Sequence, residues 1–306
     1  MRYRRLGRTE VEVSVIGVGT WQLGGEWGKD FTPAEVSSML DRARHLGVNL
    51  IDTAECYGDH VSESLVGQAI AASREQWVVA TKFGHRYLGD HDRSQQWSAD
   101  QVIGQLERSL RALRTDYIDL YQFHSGDRLA FDNDDLWEAL RGRVAAGVIR
   151  HLGVSLGSNT DVEQVERATE VGAEVIQVVY SRLDREPEVG VLPGCRRHDL
   201  GVLAREALAG GLLTGTYPPG TRFTDPSDTR SRRPVAEVER RLTAAQAIRD
   251  AEVPDDVPMS SWAIAWVLAN PGVTAVLPGC KSVAQLEANV AAADLAVIAP
   301  TEAPGR

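Results

Sequence analysis

The sequence has few cysteines and no excess of basic residues. Its three cysteines, Cys56, Cys195 and Cys280, are an odd number and lie far apart, which provides neither a disulfide framework nor the paired spacing of a zinc site. We therefore expect reduced, mainly structural thiols and no metal. The formal net charge is −10, so the chain has no positive field with which to attract nucleic acid or anionic lipid.

Long hydrophobic segments are also missing. The apolar stretches are only as long as strands, whereas a membrane-spanning helix needs roughly 18 apolar residues. Residues 1–5 are not followed by the apolar core of a secretory signal. We expect a cytoplasmic protein with neither nucleic-acid nor membrane partners.

The composition is that of a globular protein with a large core. Of 306 residues, 43% are hydrophobic and 25% are charged. This length allows two ordinary domains, but α/β barrels often use about 200 to 400 residues as one domain. Because no linker or low-complexity tract divides the sequence, we predict one domain over residues 1–306.

Eight β-rich runs alternate with segments of helical period, as in consecutive βαβ units. Helix starts are marked at Thr32, before Pro33, and at Ser98, three residues before Gln101. This rhythm predicts a closed (β/α)8 TIM barrel. An open doubly wound sheet is the weaker alternative, because no run is followed by Gly-x-Gly-x-x-Gly. The predicted strands are residues 16–19, 48–51, 77–81, 117–123, 150–154, 175–179, 201–204 and 273–277.

Two segments fall outside this alternation of strands and helices. Residues 3–15 predict an N-terminal β-hairpin that closes the bottom of the barrel. Residues 210–234, after the seventh strand, are rich in Gly, Pro, Thr, Asp and Arg and are too long for an ordinary connection. We interpret this segment as a functional or mobile loop.

Polar residues follow several of the predicted strands, where a barrel builds its active site. Asp52, Lys82 and His124 follow the second, third and fourth runs, and Tyr57 lies in the loop after Asp52. A neighbouring ammonium stabilises a phenolate and lowers the pKa of the phenol, so Lys82 is suited to activate Tyr57. Asp52 would hold Lys82, and His124 would hydrogen-bond a carbonyl oxygen. The set indicates proton delivery to an oxygen that gains negative charge.

Taken singly, these four residues also have structural explanations. Asp52 can cap the loop after its strand, and Lys82 can be solvated. His124 can form only structural hydrogen bonds at the rim, and Tyr57 can be an aromatic residue of a turn before Gly58. Their joint arrangement favours the chemical role.

The motifs around these residues resemble those of the aldo-keto reductases, and the resemblance extends from Leu6 to Asn289. It implies a (β/α)8 barrel that reduces an aldehyde or ketone to an alcohol with NADPH, with Tyr57 as general acid, Asp52 and Lys82 tuning it and His124 orienting the carbonyl. The matching segments, in order, are Leu-Gly-Arg-Thr at 6–9, Asp-Thr-Ala-Glu-Cys-Tyr-Gly at 52–58, Ala-Thr-Lys at 80–82, Asp-Tyr-Ile-Asp-Leu-Tyr-Gln-Phe-His at 116–124 and Gly-Leu-Leu-Thr-Gly at 211–215.

The same resemblance assigns the cofactor contacts. Ser155 and Gln177 would bind the carboxamide, and Tyr180 would stack on the nicotinamide ring. Lys281 and Ser282 would bind the 2′-phosphate, which favours NADPH over NADH. The full set of expected cofactor residues is Gly19, Thr20, Trp21, Ser155, Gln177, Tyr180, Arg205, Leu208, Gly210, Leu212, Gly279, Lys281, Ser282, Gln285 and Asn289.

This sequence departs from the family pattern at two places. Leu156 stands where many relatives have Asn, and Arg205-Glu206 precedes the loop where many have Ser-Pro-Leu. The Arg205-Glu206 pair is consistent with a phosphate contact or with a local ion pair. Cys56, beside Tyr57, is expected to pack rather than to act in redox chemistry.

The substrate side is expected to be aromatic. We predict substrate contacts from Trp21, Trp27 and Tyr87, although Trp21 is equally suited to the core. The polar loop after Lys82 is consistent with a substrate wall but is more simply a solvated loop.

Two other functions remain consistent with the sequence. The first is an NADPH-binding regulatory or sensing subunit with slow turnover. The second is a barrel lyase or isomerase without a nicotinamide, which leaves Lys281, Gln285 and Asn289 with no role. The sequence defines neither the particular carbonyl substrate nor the oligomeric state.

Overall fold

A parallel barrel forms the centre of the computed structural model, which describes residues 1–89 and 91–297. Each of its eight strands except the last is hydrogen-bonded to the next barrel strand along the chain. Parallel bridges from Ile16 to Val276 and from Gly19 to Gly279 join the two edges of the sheet and close the barrel. The barrel strands are β3 (Val18–Gly19), β4 (Leu50–Asp52), β5 (Val78–Phe83), β8 (Ile118–His124), β9 (Ile149–Ser155), β10 (Ala173–Val179), β11 (Gly201–Arg205) and β12 (Ala275–Leu277).

The predicted (β/α)8 fold is confirmed, and each of the eight predicted runs overlaps a barrel strand. Two of the helices between them begin where the sequence marks a cap. Thr32 accepts a hydrogen bond from the Glu35 amide and Ser98 accepts one from the Gln101 amide, so both capping boxes form. The α-helices are α1 (Pro33–His45), α2 (Val61–Ile70), α3 (Ala99–Leu113), α4 (Arg128–Phe131), α5 (Asp134–Ala145), α6 (Val162–Arg167), α7 (Val191–Arg197), α8 (Val235–Glu252), α9 (Met259–Leu268) and α10 (Val283–Ala291).

The predicted N-terminal hairpin is present as β1 (Tyr3–Arg5) and β2 (Glu12–Ser14), which pair antiparallel. It supplies Leu6 and Val13 to an apolar cluster that also holds Leu50, Leu120 and Leu203 from the barrel strands. The hairpin therefore fills the barrel at the amino ends of its strands, and the carboxyl ends remain for a site.

A second hairpin interrupts the barrel between β5 and α3. It consists of β6 (His85–Gly89) and β7 (Asp92–Gln95), which pair antiparallel. The sequence analysis treated these residues as a loop. In the sequence, the dipeptide Gly89-Asp90 is a signal that favours a hairpin, and Gly89, which ends β6, has a φ of 96°.

Within residues 1–89 and 91–297, the longest apolar stretches fall short of what a membrane-crossing helix requires.

Candidate active site

Four side chains predicted to act together lie at the carboxyl ends of neighbouring strands. Asp52 ends β4 and His124 ends β8, while Lys82 lies near the end of β5 between them. Tyr57 stands in the turn between β4 and α2. The parallel pairing of β4, β5 and β8 therefore brings residues from three separate parts of the sequence to one rim.

Lys82 is the centre of this group and is fully buried. Its Nζ donates hydrogen bonds to Asp52 Oδ2 at 2.7 Å, to the Thr53 carbonyl at 2.7 Å and to Tyr57 Oη at 3.3 Å. An ammonium has three donors, so all three are used. Burial lowers the pKa of Lys82, but the charges and hydrogen bonds of Asp52 and Tyr57 together outweigh burial and raise that pKa to about 12. Lys82 is therefore a fixed cation beside the phenol.

Tyr57 retains its proton at neutral pH. Burial raises the pKa of Tyr57 to about 12, and the opposing charge of Lys82 does not overcome this effect. Lys82 lowers the pKa of Tyr57, as expected, but burial raises that pKa by more. A protonated phenol next to an ammonium is a proton donor whose phenolate product is stabilised at once.

His124 faces the same space as a neutral imidazole. Burial, and then the charge of Lys82, hold the pKa of His124 well below its usual value. Its Nδ1 lies 3.8 Å from the Sγ of Cys56, and its ring meets the Tyr57 ring edge-on with centroids 6.4 Å apart. With Nδ1 accepting from the thiol, the tautomer carries its proton on Nε2, which leaves a donor for an oxygen in the cavity.

A second layer of polar groups holds Asp52. Its Oδ1 accepts from Gln122 Nε2 at 3.1 Å and from Gln177 Nε2 at 2.7 Å, and Ser155 Oγ donates to Gln177 Oε1 at 3.3 Å. Ser155 and Gln177 are fully buried and lie behind Asp52, away from the cavity wall. In this structure they orient the carboxylate, and the structure does not bring them to where we expected a carboxamide contact.

Tyr180 also lies away from the cavity. Its ring packs against Trp266 with centroids 5.5 Å apart, and its hydroxyl donates to Glu188 at 2.8 Å and accepts from Asn270 at 3.0 Å. The expected stacking of Tyr180 on a nicotinamide ring is therefore not supported, because the side chain after β10 turns outward toward α9.

One cavity of about 550 Å³ runs from these residues to the N-terminus of α10. Its lining includes the catalytic candidates Asp52, Tyr57 and His124, while Lys82 lies beneath Tyr57. Leu212 is buried beside the cavity, and Ser282 caps α10 by accepting from the Gln285 amide at 3.2 Å. The cofactor candidates that line it are Gly19, Thr20, Trp21, Arg205, Leu208, Gly210, Gly279, Lys281, Gln285 and Asn289.

The catalytic end has an aromatic wall. Trp21 stacks on Tyr57 with centroids 6.0 Å apart, and Trp27 meets Trp21 edge-on at 5.0 Å. Both tryptophans line the cavity, and their contact with substrate stays a prediction. Tyr87 does not line the cavity, whereas His85 and Arg93 from the same hairpin do.

The hairpin is fixed by a buried ion pair. Arg93 donates to Glu26 Oε2 at 2.5 Å, and the same carboxylate accepts from Trp21 Nε1 at 2.6 Å. Because Glu26 is only 3% exposed, this carboxylate joins the hairpin to the Trp21 loop through contacts shielded from water. The sequence placed Arg93 in the polar loop after Lys82 but did not predict its ion pair with Glu26, since a single arginine in a polar run carries no sign of its partner.

Arg205 forms the local ion pair that the sequence left as one of two alternatives. Its Nη1 donates to Glu206 at 2.9 Å and its Nη2 to the Leu156 carbonyl at 3.1 Å. Its Nε is buried without a hydrogen-bond partner among the described residues, and the side chain lines the cavity. These two bonds use two of the five guanidinium N–H donors, so three remain, including the one on Nε.

The long loop after β11 is anchored at the other end of the cavity. Trp27 and Asp228 form an antiparallel bridge, and Lys281 Nζ donates to the Trp27 carbonyl at 2.5 Å. Arg230 is buried, pairs with Asp228 at 2.6 Å and lies 4.1 Å from the Phe223 ring centroid. The 210–234 loop is therefore a cavity wall as well as a connection.

The comparisons with known proteins agree with this geometry. The fold is a parallel barrel with a cavity at the carboxyl ends of its strands, and the model of the aldo/keto reductase family matches residues 15–303. The chain belongs to that family, whose members are oxidoreductases that use nicotinamide cofactors. Small carbonyl compounds are therefore its class of substrate.

Several relatives match over nearly their whole length. An uncharacterised oxidoreductase of Bacillus subtilis (strain 168) is 34% identical, with 96% of this chain and 92% of the relative covered. An NADH-specific methylglyoxal reductase of Escherichia coli (strain K12) is 31% identical, with 95% and 93% covered. Among solved structures, the holo form of an aldo-keto reductase from Bacillus halodurans has a TM-score of 0.81 and 30% identity, with 97% of this chain and 92% of that chain covered.

Proposed function

We propose that this protein reduces an aldehyde or ketone to an alcohol with NADPH, using Tyr57 as the general acid. The observation that carries the proposal is the contact of Lys82 Nζ with both Asp52 and Tyr57 Oη, because it places a stabilised proton donor at the wall of a ligand-sized cavity. The bound nicotinamide supplies the hydride.

The chain's own residues carry the proton. Tyr57 donates its phenol proton to the carbonyl oxygen as that oxygen gains negative charge. Lys82 stabilises the phenolate that remains, and Asp52 keeps Lys82 in place. His124 donates from Nε2 to the same oxygen, which orients the carbonyl before the transfer.

The residues along the cavity fit a dinucleotide. Arg205 lines the cavity with guanidinium donors left over for a ligand such as the carboxamide, and Ser155 and Gln177 lie deeper, behind Asp52. At the far end Lys281 uses one donor on Trp27, which leaves two for a phosphate, and Arg230 adds a second cation nearby. These charges support NADPH over NADH, although one relative is NADH-specific by its name.

The experiment is a comparison of NADPH and NADH consumption by the purified protein, followed by absorbance. The aldehydes and ketones tested would include methylglyoxal and dihydroxyacetone, next to aromatic and sugar-derived carbonyls. Turnover that is at least ten-fold more efficient with NADPH is expected. A preference for NADH would contradict the cofactor assignment, and binding of either cofactor without turnover of any carbonyl would contradict the reductase assignment.

A further inference from the structure

Three groups with metal-binding atoms meet beside Tyr57, and two of them have no part in the proposed reaction. A carboxylate oxygen of Glu55, the Sγ of Cys56 and a ring nitrogen of His124 all lie within 4.8 Å of one another. Glu55 and Cys56 are consecutive in the turn after β4, whereas His124 ends β8. The barrel fold therefore makes neighbours of residues that are far apart in the sequence.

Glu55 has an unsatisfied oxygen in this cluster. The residue is 3% exposed, and its Oε1 accepts from the His85 amide at 3.0 Å. Its Oε2 is buried and has no hydrogen-bond partner among residues 1–89 and 91–297. A buried carboxylate oxygen without a partner is costly, so this position is suited to a cation.

Cys56 and His124 make the cluster accessible. Both line the cavity, so a small ion can reach them from solvent. Their Sγ and Nδ1 atoms are 3.8 Å apart, which is close to the separation of two ligands on one tetrahedral ion.

We propose that Glu55, Cys56 and His124 form a binding site for a thiophilic divalent cation, best matched by Zn²⁺. Thiolate, imidazole and carboxylate are the three ligand types that zinc uses in proteins, and three protein ligands leave a fourth position for water from the cavity. One dication with one thiolate and one carboxylate carries no net charge, which suits a buried site. On binding, Cys56 gives its thiol proton to solvent. Glu55, whose pKa is raised to about 8 by burial and by the charge of Glu63, releases its proton as well, and no electron is transferred.

Occupation of this site has a consequence for catalysis, and this part rests on the proposed function. An ion on His124 fixes the imidazole to the metal and fills the space beside Tyr57. We therefore expect Zn²⁺ to inhibit carbonyl reduction reversibly, with activity restored by a chelator.

The test uses Co²⁺ as a spectroscopic probe on metal-free protein. Wild-type protein is expected to bind one equivalent, with a thiolate-to-cobalt charge-transfer band in the near ultraviolet that Zn²⁺ displaces. Cys56→Ser should lose that band, and Glu55→Gln should bind about 10- to 100-fold more weakly. The matched control is Cys195→Ser, because Cys195 is also a buried free cysteine but lies in α7 and has no place in the cluster.

The results separate binding from function. A missing band in wild-type protein, or an equal band in Cys56→Ser, would overturn the metal site, and near-ultraviolet circular dichroism would verify that each variant is folded. If the band appears as expected but no carbonyl is reduced, the proposed reductase function fails while the metal site stands. If Zn²⁺ inhibits Cys56→Ser as strongly as wild type, inhibition does not act through this site.

Discussion

At the residue scale, the hydrogen bonds donated by Lys82 hold the predicted catalytic group together. Its three donors contact one carboxylate, one carbonyl and one phenol, and no water reaches it. The sequence predicted these partners from their positions after strands, because parallel strands end at one rim. It did not predict that burial would dominate the pKa of Tyr57, since the depth of a side chain depends on packing from the whole rim.

Replacing Tyr57 with Phe removes the proton and keeps the ring stacked on Trp21. We expect kcat to fall by about 10²- to 10⁴-fold, with the Kd for NADPH within a few-fold of wild type. Steady-state kinetics and cofactor fluorescence measure the two quantities. Tyr87→Phe is the control, since it removes a phenol that does not line the cavity; near-normal kcat in Tyr57→Phe would refute the acid role.

Lys281→Met tests the cofactor preference. Loss of a charge-assisted contact to the 2′-phosphate should weaken NADPH binding by about ten-fold or more, with NADH changed less than about two-fold. Lys29→Met is the matched control: Lys29 pairs with Glu35 at 3.0 Å and contacts the Lys281 backbone carbonyl at 3.3 Å, but it is not among the residues that line the cavity. Equal losses for both cofactors, measured by fluorescence titration, would exclude the phosphate contact.

At the scale of single elements, the starts of two helices could be predicted from local sequence, whereas features that depend on tertiary contacts could not. The capping boxes of α1 and α3 were predictable because Thr32 and Ser98 act on amides three residues away. The β6–β7 hairpin was not predicted, because it is held by Arg93 on Glu26, a partner 67 residues distant. Ser155 and Gln177 were predicted as carboxamide ligands and not as a support for Asp52, since the depth of each side chain depends on the packing of the barrel's interior.

Arg93→Gln should loosen that hairpin. The change leaves the buried Glu26 carboxylate without its cation, so we expect a loss of about 3 kcal/mol in the free energy of unfolding and a higher KM for the carbonyl. Urea unfolding and kinetics at saturating NADPH measure these effects. Arg86→Gln, on an exposed position of the same hairpin, should change stability by less than about 0.5 kcal/mol. Similar effects in the two variants would show that the ion pair does not hold the hairpin.

At the scale of the molecule, closure of the barrel is what makes distant residues meet. The edges join through Ile16 and Val276, and the N-terminal hairpin fills one end, so the remaining end carries the cavity. The regular alternation of strands and helices was enough to predict this architecture. We propose on the same grounds that residues 1–306 fold as one domain, which a single cooperative unfolding transition by two probes would support.

The link between the segment after β10 and helix α8 predicts acid sensitivity. Asp184 accepts two hydrogen bonds from Arg241, each at 2.8 Å. Burial raises the pKa of Asp184, but its bonds from Arg241 and Ser181 prevail and hold that pKa below its usual value of 3.8. A lowered carboxyl pKa stabilises the fold at higher pH, and this contribution disappears as the pH falls through the folded-state pKa.

Asp184→Asn should therefore cost about 1 to 3 kcal/mol at neutral pH and progressively less in acid. Urea unfolding of both proteins across this range measures the difference, and Asp256→Asn, at an exposed loop position, serves as the control. A cost that does not shrink in acid would mean that the pair does not act through the charge of Asp184.

The lysines of this protein are concentrated at its cavity, with a practical consequence for labelling. The chain contains only three, of which Lys82 is buried under Tyr57, Lys281 lines the cavity and Lys29 donates to the Lys281 carbonyl at 3.3 Å. Amine-reactive dyes or resins would thus attach at the cofactor end or at the N-terminus. Attachment through amines would obstruct the dinucleotide, and protection of Lys281 from such reagents by NADPH would provide a direct footprint of the bound cofactor.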